Sequence, residues 1–453
     1  MFGQKCLIKD FAKENVLCSL KEKEADMKTP RVLHVAAFIV LASLMVFLFT
    51  TPNALAKPSK PISVGCVVPL GFLFGKAAAR SAELAVEEIN AAGGVKVGGE
   101  MRPFKLEVAD GRSTEPGTPT SETLLVLEKL ILEKGVGFFV GGPIRSEAAL
   151  ASMDLFARYR SVVIWGAGTL TPALSKRIAD NPEKYKHLFR ESGEVVWLIK
   201  ELNSLFDELK AQHGFNKVHI VVQDVEHARK AGGAIAATLG KRGWTITGQD
   251  RFPAVTSDFS APLLNAKSKG AEALFVWGEA PSAQILIKQW ATLKIPVLPL
   301  GFINIIEPTE AWKETDGKCE YVIATQVNAG AAYADFNPWV VRWWKAYKKK
   351  YGAAPEMYCV QVPYTSVYVL KDAIERAGSL DPDKVAKAIE ETDLKGTPQG
   401  RIRFNPKTHD VIPSLDPEQG AVGTVFQWQA GKRVVIFPPK IAKGKILLPP
   451  WMK

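Results

Sequence analysis

Segments typical of β-strands and of α-helices alternate along most of this chain, and this alternation constrains its fold more than any other feature. The apolar run ISVGCVV at 62–68 has the length and β-branched content of a buried strand, and helical spacing of apolar residues follows it as far as Gly93. The same order continues through strand-like runs at 104–110, 136–142 and 161–168. A βαβαβα order predicts a parallel sheet with helices on both faces.

A second series of strand-like runs begins with KVHIVVQD at 217–224 and continues at 244–252, 273–279 and 297–302. Two α/β halves in succession predict an α/β fold with two similar, Rossmann-like lobes. The segment HLFRESGE at 187–194 is the first candidate crossover between them.

The last part of the chain departs from this alternation. A long helical block is predicted over 337–391, after a strand at YVIATQV. The end of the chain predicts a β-hairpin with Ala430 and Gly431 in its turn, since strand-like runs stand on both sides of that pair.

The N-terminal segment 1–56 has the features of a targeting signal. An apolar run at 32–49 follows basic residues and precedes Ala54-Leu55-Ala56, which has the form of a cleavage site. We therefore expect a cleaved secretory signal that ends near Ala56 and a periplasmic location, with Met27 as a possible true start. A membrane anchor is the alternative, but the apolar run is at the short end for a membrane span.

Charge gives little support for a nucleic-acid partner. Lys and Arg number 58 against 47 Asp and Glu, a net charge of +11, but most basic residues alternate with acidic ones. The densest basic cluster, RWWKAYKKK at 342–350, has its aromatic residues at helical spacing and predicts an amphipathic helix. No groove-reading motif accompanies it, so we expect no nucleic-acid partner.

The sequence carries no motif for catalysis or for a cofactor. It lacks a GxxxxGK[ST] phosphate loop, a GxSxG nucleophile elbow and HExxH, and its six histidines show no metal-ligand spacing. We therefore expect no enzyme, no cofactor and no metal site. Three cysteines follow the signal, namely Cys66, Cys319 and Cys359. Cys319 and Cys359 either form a disulfide bridge or are free thiols, and the sequence does not decide between the two.

Four stretches of the chain resemble the type I periplasmic binding proteins of ABC importers of the branched-chain amino acid class. They are VPLGFLFGKAAARSAELAVEEINAAGGV, VGGPIRSEAALASMDLFARYRSVVIWGAGTLTPALS, SDFSAPLLNAKSKGAEALFV, and PYTSVYVLKDAIERAGSLDPDKVAKAI followed by GRIRFNP. Together they span nearly all of 61–410, and their order and spacing make the resemblance specific.

This resemblance implies two lobes joined by three crossover strands, with a ligand in the cleft between them. We expect lobe 1 to contain 57–190 plus 329–395, and lobe 2 to contain 191–328 plus 396–453. It also implies a monomeric binding protein that delivers a small molecule to an ABC permease in the inner membrane. A ligand-sensing receptor domain of the same fold is the alternative.

The loop GGPIRSE leads from a strand into a helix and is the first candidate ligand anchor. Free backbone N–H groups at a helix N-terminus favour an anion, and the Ser146 hydroxyl adds a donor. The resemblance implies that Ser146 holds a ligand carboxylate, together with the segment Ala167, Gly168 and Thr169. The alternative is that Ser146 and Thr169 only cap their helices.

Two further positions are candidates by resemblance alone. Phe74 stands where family members place an aromatic residue against the ligand, although a core phenylalanine is the alternative. His227, in DVEHA, stands near another such aromatic position, and a surface histidine is the alternative.

The chain departs from the family where an acidic residue normally faces the ammonium group of an amino acid ligand. Phe302 and Ile303 occupy that place. Trp165 and Trp277 at strand ends suit a flat ligand, and Arg145 suits a second carboxylate.

Glu279 is the candidate for the missing acid. The ligand hypothesis stays divided between a small amino acid and an aromatic or other organic carboxylate. In either case we expect hinge closure, with lobe 1 holding the ligand first and residues near 227 and 277–279 sealing it.

Overall fold

The computed structural model describes residues 59–452 except 116, 329 and 331. The predicted signal segment 1–56 therefore lies outside the described residues. Among the helices that are described, none is long and apolar enough to cross a membrane.

The first sheet is parallel and has five strands in the order β4-β1-β5-β6-β7. β1 is buried along most of its length because its apolar residues meet helices on both faces. The strands of this sheet are β1 (Ile62–Val68), β4 (Phe104–Asp110), β5 (Phe138–Gly141), β6 (Val162–Trp165) and β7 (Leu188–Arg190). This order confirms the parallel sheet predicted for the first half of the chain.

Eight helices accompany the first sheet, five from the N-terminal half of the chain and three from the C-terminal part. They are α1 (Leu73–Ala91), α2 (Thr120–Lys134), α3 (Ser146–Tyr159), α4 (Pro172–Asp180), α5 (Pro182–Tyr185), α11 (Pro338–Tyr351), α12 (Gln361–Ala377) and α13 (Pro382–Glu390). The single block predicted over 337–391 is thus three helices, because Gly352 and Gly378 adopt left-handed φ angles of 70° and 58° that end α11 and α12.

The basic cluster at 342–350 lies on α11. Trp343 and Tyr347 are buried on its inner side, whereas Lys348, Lys349 and Lys350 are exposed in its last turn. The prediction of an amphipathic helix is confirmed, and the lysines also suit the negative end of the helix dipole.

The second sheet has seven strands in the order β16-β15-β12-β11-β10-β8-β9. Its strands are β8 (Lys217–Gln223), β9 (Thr245–Phe252), β10 (Ala273–Trp277), β11 (Leu298–Phe302), β12 (Ile323–Gln326), β15 (Thr424–Gln429) and β16 (Lys432–Phe437). Those from β8 to β12 are parallel, and β15 and β16 form the predicted antiparallel hairpin around Ala430 and Gly431. Its helices are α6 (Val195–His213), α7 (Glu226–Lys241), α8 (Ser260–Ser268), α9 (Ser282–Thr292) and α10 (Ala311–Glu314).

Within the described residues the chain passes between the two sheets three times, between β7 and α6, between β12 and α11, and between Ile402 and β15. Two short antiparallel ribbons complete the fold, β2 (Val95–Val97) with β3 (Glu100–Arg102) and β13 (Leu394–Thr397) with β14 (Gly400–Ile402). Short 3-10 turns lie at Asn304–Ile306 and Pro450–Met452. The two parallel-sheet lobes agree with the predicted fold class, while the exact lobe boundaries stay a prediction.

The three described cysteines are buried and free. Cys66, Cys319 and Cys359 make no disulfide with one another. Burial in apolar surroundings raises the pKa of the Cys66 thiol to about 12 and that of Cys319 to about 11, so both behave as small apolar residues at neutral pH.

Candidate functional site

The first candidate anchor lies at the carboxyl end of β5, where the chain enters α3. Arg145 is the N-cap residue of α3 and makes no side-chain cap, and Ser146 is the first helical residue. The half-buried Ser146 hydroxyl has no hydrogen-bond partner among the described residues. Ser146 is therefore not the cap of its helix, and it opens the first turn of α3, where the first backbone N–H groups of a helix have no acceptor within the helix.

Thr169 is tied to the backbone of this same loop. Its hydroxyl donates a hydrogen bond to the Pro143 carbonyl at 2.8 Å, and its amide donates to the Ile144 carbonyl at 2.9 Å. The helix that follows, α4, is capped instead by Thr171, which accepts from the Ala173 amide. Thr169 is therefore no helix cap either, and it joins the loop after β6 to the loop after β5.

The backbone between Ala167 and Thr169 has an unusual shape. Gly168 and Thr169 have φ angles of 92° and 64°, in the left-handed region that threonine rarely adopts. Both Ala167 and Thr169 are buried. The hydrogen bonds of Thr169 hold this loop in a conformation that its sequence alone does not favour.

A buried arginine that the sequence analysis missed supports the same loop. The Arg190 guanidinium is fully buried and donates to the Thr169 carbonyl at 2.9 Å and to the Thr171 carbonyl at 2.8 Å. It also forms ion pairs with Asp410 at 2.7 Å and Glu194 at 3.1 Å. The signal that could have found it is an arginine directly after the apolar pair Leu188-Phe189 of a short strand, since a buried arginine is almost always paired.

On the other lobe, three predicted residues come together at the ends of β10 and β8. The Glu279 Oε1 atom accepts from the Trp277 indole at 3.0 Å and lies 2.8 Å from His227 Nε2. The Gln223 side chain fixes this turn, because its Oε1 accepts from the amides of Glu279 and Ala280. His227 is 59% exposed and Glu279 35%.

His227 and Glu279 form an ion pair. The hydrogen bond and charge of Glu279 raise the pKa of His227, with a further contribution from Glu147 on α3. Burial acts to raise the pKa of Glu279, but the bond and charge of His227 outweigh it and the pKa lies below its usual value.

An aromatic wall, formed by Trp277, Phe302 and Tyr358, lies beside the pair. The ring centres of Trp277 and Phe302 are 4.8 Å apart, and those of Phe302 and Tyr358 are 5.7 Å apart. A Cβ atom on Gly168 would lie 3.7 Å from the Tyr358 hydroxyl, so this wall reaches the Thr169 loop. Phe302 was predicted only as the place of a missing acid, and Tyr358 was not predicted at all.

Three other predicted residues differ in exposure, and none of them makes a hydrogen bond with His227 or Glu279. Trp165 is fully buried and packs edge-on against Phe156 in the core on the α3 side of the first sheet. Phe74 is half-buried and stacks on Phe72. Arg145 is exposed and pairs with Glu147 at 3.0 Å.

Glu307, which follows the position of the missing acid, has a structural role. It is fully buried and accepts from the Tyr358 amide at 2.9 Å. Burial raises its pKa to about 8, so the carboxyl group is mostly protonated at neutral pH. Within the described ranges, no three histidine, cysteine or acidic side chains are grouped to hold a metal ion.

Comparison with known proteins agrees with this architecture. The sequence profile of the periplasmic binding protein family matches residues 61–429. One relative, the Leu/Ile/Val-binding protein homolog 7 of Brucella abortus (strain 2308), is 23% identical over 403 residues, which cover 87% of this chain and 96% of the relative.

Solved structures show the same fold at low identity. A branched-chain amino acid ABC transporter protein from Silicibacter pomeroyi has a TM-score of 0.76 at 20% identity, covering 87% of this chain and 100% of that one. A substrate-binding protein from Streptococcus pneumoniae in complex with isoleucine has a TM-score of 0.66 at 19% identity. The match covers 86% of this chain and 100% of that one. A solute-binding protein from R. palustris in complex with benzoate has a TM-score of 0.64 at 14% identity. The match covers 83% of this chain and 96% of that one.

The profile match covers most of the chain, and the two parallel-sheet lobes have the shape that these structures share. The chain belongs to the periplasmic binding protein family.

Proposed function

We propose that this protein is the periplasmic solute-binding component of an ABC importer and that it captures a small carboxylate-bearing ligand between its lobes. The observation that carries the proposal is the position of the Ser146 hydroxyl. It has no partner among the described residues, and it belongs to the first residue of α3. The neighbouring Gly168 loop lies next to Tyr358, whose ring packs against Phe302 of the second sheet.

A carboxylate suits the Ser146 end of the cleft. The free N–H groups of the first turn and the helix dipole both favour negative charge, and the hydroxyl supplies a further donor. Charge-assisted hydrogen bonds contribute about 1.5–3 kcal/mol each. Three of them supply much of a micromolar affinity, which corresponds to about 8 kcal/mol.

Thr169 has a different part in this proposal from Ser146. Its hydroxyl and amide already bond to the loop at 143–144, so its main contribution is to hold that loop and Ser146 in place. The Thr169 hydroxyl oxygen keeps a lone pair that can accept a hydrogen bond, but its proton is committed to Pro143.

The family supports binding and delivery over catalysis. Relatives of this fold have been found with isoleucine and with benzoate, so an amino acid and an aromatic acid are both reasonable ligands for this chain. The ligand would bind lobe 1 first and be sealed by lobe 2, and the closed form would then be recognised by a permease in the inner membrane. We further propose that the lobes divide as 57–190 plus 329–395 and 191–328 plus 396–453, and that the protein acts as a monomer.

A ligand-sensing receptor domain of the same fold is the second candidate. The names of two solved relatives favour the importer, since both are named as proteins of branched-chain amino acid transporters. The predicted secretory signal at 1–56 is consistent with a periplasmic protein of either kind.

A thermal-shift screen of the purified protein against amino acids, aromatic acids, dicarboxylates and amides tests the binding function. A ligand at 100 times its Kd adds about 2.7 kcal/mol of stability and raises the Tm. Uptake of the identified ligand by cells with and without the gene then separates import from sensing, because only import requires the protein for uptake. No Tm increase with any carboxylate would contradict the proposal.

A further inference from the structure

A short segment between α11 and α12, residues 356–358, connects the two lobes in addition to the three chain crossings. The helices on either side of it belong with the first sheet, because α11 packs on α1 and α12 packs on β5 and β6. The segment itself nevertheless bonds to the loop that follows β11 of the second sheet. We call residues 356–358 the interlobe segment.

Glu356 makes the charged contact of this segment. It is 7% exposed, and its Oε1 accepts hydrogen bonds from the Thr309 amide at 2.9 Å and from the Thr309 hydroxyl. Arg433 of β16 lies 3.7 Å from the same oxygen, and its guanidinium also donates to the Glu307 carbonyl. Burial raises the pKa of Glu356, whereas the Thr309 amide and the Arg433 charge act to lower it. These two partners on the second lobe therefore stabilise a carboxylate whose burial alone is unfavourable.

Tyr358 makes a second set of contacts, closer to the chain crossings. Its amide donates to Glu307 Oε2 at 2.9 Å, and its ring centre lies 5.7 Å from that of Phe302. Its carbonyl accepts from Asn328 Nδ2 at 3.4 Å, and Asn328 lies in the crossing between β12 and α11. The same Asn328 accepts from the Gly193 amide of the first crossing at 3.0 Å. One end of the interlobe segment is thus attached beside the crossings.

The backbone between these two residues is strained. Met357 is 6% exposed and has a φ of 75°, in the left-handed region that residues other than glycine rarely adopt. Such a conformation persists only where the surrounding contacts determine it. The bonds that Glu356 and Tyr358 make with the second lobe, one on each side of Met357, supply contacts of this kind.

The contacts lie on the side of the sheets where the ligand cleft is proposed. Glu307 and Thr309 follow the carboxyl end of β11, and a Cβ atom on Gly168, in the loop after β6, would lie 3.7 Å from the Tyr358 hydroxyl. Open α/β sheets bind their ligands beyond the carboxyl ends of the strands. Thr309 is exposed, so this end of the contact reaches the protein surface. Rotation of the lobes about the crossings would therefore separate Glu356 from Thr309 when the cleft opens.

We propose that the interlobe segment is a latch that holds the two lobes together, and that the hydrogen bonds between Glu356 and Thr309 are the contact that breaks when the cleft opens. The latch joins groups of the protein itself, so it acts also when no ligand is present. It shifts the equilibrium between open and closed forms toward the closed form, because only the closed form contains these bonds. The inference goes beyond the proposed function, since it depends on the contact between the lobes and not on the chemistry of the ligand.

Small-angle X-ray scattering of the ligand-free protein tests the latch, because an opened cleft increases the radius of gyration. Glu356→Ala removes the acceptor of both Thr309 bonds and the partner of Arg433, and it should increase the radius of gyration. Thr309→Val removes only the hydroxyl bond and should give a smaller increase. Glu122→Ala is the matched control, because Glu122 pairs with Arg112 at 3.0 Å within the first lobe, and it should leave the radius unchanged.

Two further measurements make the result specific. Far-UV circular dichroism separates opening, which keeps the helix content, from unfolding, which lowers it. If Glu356→Ala unfolds, Thr309→Val decides the question, since it changes one hydroxyl of an exposed residue. The double variant should open no further than Glu356→Ala alone, because the hydroxyl bond is already absent there.

The outcomes are distinct from those of the proposed function. Equal radii of gyration in the unmodified protein and in the folded variants would overturn the latch. A double variant that opens by the sum of the two single effects would overturn the assignment of the latch to the bond between Glu356 and Thr309. Because no ligand is added, each result holds whether or not the thermal-shift screen finds a carboxylate that binds.

Discussion

The Thr169 hydroxyl donates a hydrogen bond to the carbonyl oxygen of Pro143 at 2.8 Å, across two loops that leave neighbouring strands β6 and β5. The bond is buried, and the Thr169 backbone is in the left-handed region. The two loops are thus one hydrogen-bonded unit, in which Thr169 holds the loop at 143–144. In the proposed site, Ser146 is the residue that binds the ligand.

This division of roles predicts different effects of two alanine substitutions. Ser146→Ala should weaken ligand binding about tenfold with little change in Tm, because it removes only a donor to the ligand. Thr169→Ala should reduce the free energy of unfolding by about 1–3 kcal/mol, because it leaves the Pro143 carbonyl unpaired. Thr169→Ser keeps the hydroxyl and is the control. Equal stability of the alanine and serine variants would show that the hydrogen bond to Pro143 does not stabilise the loop.

Arg190 should be far more important for stability than an exposed arginine. Arg190→Met leaves Asp410 and two backbone carbonyls without their buried partner. Such a loss typically lowers the free energy of unfolding by about 3–5 kcal/mol. Arg229→Met is the matched control, because Arg229 forms an exposed pair with Asp224 and should cost at most about 1 kcal/mol. Urea unfolding measures the free energy of unfolding of both variants. Similar losses in the two variants would show that the hydrogen bonds and ion pairs of Arg190 contribute little to stability.

Glu201 predicts a pH dependence of stability. Glu201 is buried on α6, accepts from the Thr325 hydroxyl at 3.3 Å, and burial raises its pKa from 4.5 to about 8. Between these values the folded protein holds a proton that the unfolded chain releases, so the free energy of unfolding falls as pH rises. Glu191 and Glu307, whose pKa values burial also raises to about 8, act in the same direction.

Substitution of Glu201 isolates its share of this effect. Glu201→Gln should make the fall in Tm between about pH 5 and pH 8 shallower, since the amide does not ionise. Glu208→Gln on the same helix, where the side chain bonds only to Gln212 at the surface, should leave the slope unchanged. Identical slopes in the two variants would show that Glu201 does not control this dependence.

The His227–Glu279 pair predicts a pH dependence of ligand preference. The pKa of His227 is raised by Glu279, and the other charged groups that favour its protonated form are Glu147 and Glu226. As pH rises through that pKa, His227 loses its charge and Glu279 becomes free to pair with an ammonium group. Ligands that carry an ammonium group should therefore bind more tightly as pH rises above the ordinary histidine value of 6.5, because the pKa of His227 is raised above it. Titration calorimetry measures this change, and a constant affinity would contradict the role of the pair.

Most of the fold follows from local patterns in the sequence. Strand β1 occupies the predicted run 62–68, and β9 and β11 begin one residue later than the predicted runs 244–252 and 297–302. These strands are short apolar runs bounded by turns. The helices that follow them are long enough for the helical spacing of their apolar residues to be clear. The breaks within 337–391 were harder to predict because they depend on the backbone conformation of single glycines.

The site could be predicted only in part, since parallel strands are buried on both faces and carry no polar–apolar alternation. Trp165 and Trp277 both end a strand, yet Trp165 packs under Phe156 in the core while Trp277 joins Glu279 and the aromatic wall. Tyr358 is distant in sequence from Phe302, and only the tertiary fold brings them together.

The most direct test of the central claim is calorimetric titration of the purified protein and its Ser146→Ala variant with carboxylate ligands. We expect the protein to bind a small carboxylate at one site per chain, and we expect Ser146→Ala to weaken this binding about tenfold. Ser204→Ala, which removes a hydroxyl bonded only to its own helix at Lys200, should bind as the unmodified protein does. Absence of carboxylate binding, or equal affinity in Ser146→Ala, would contradict the account.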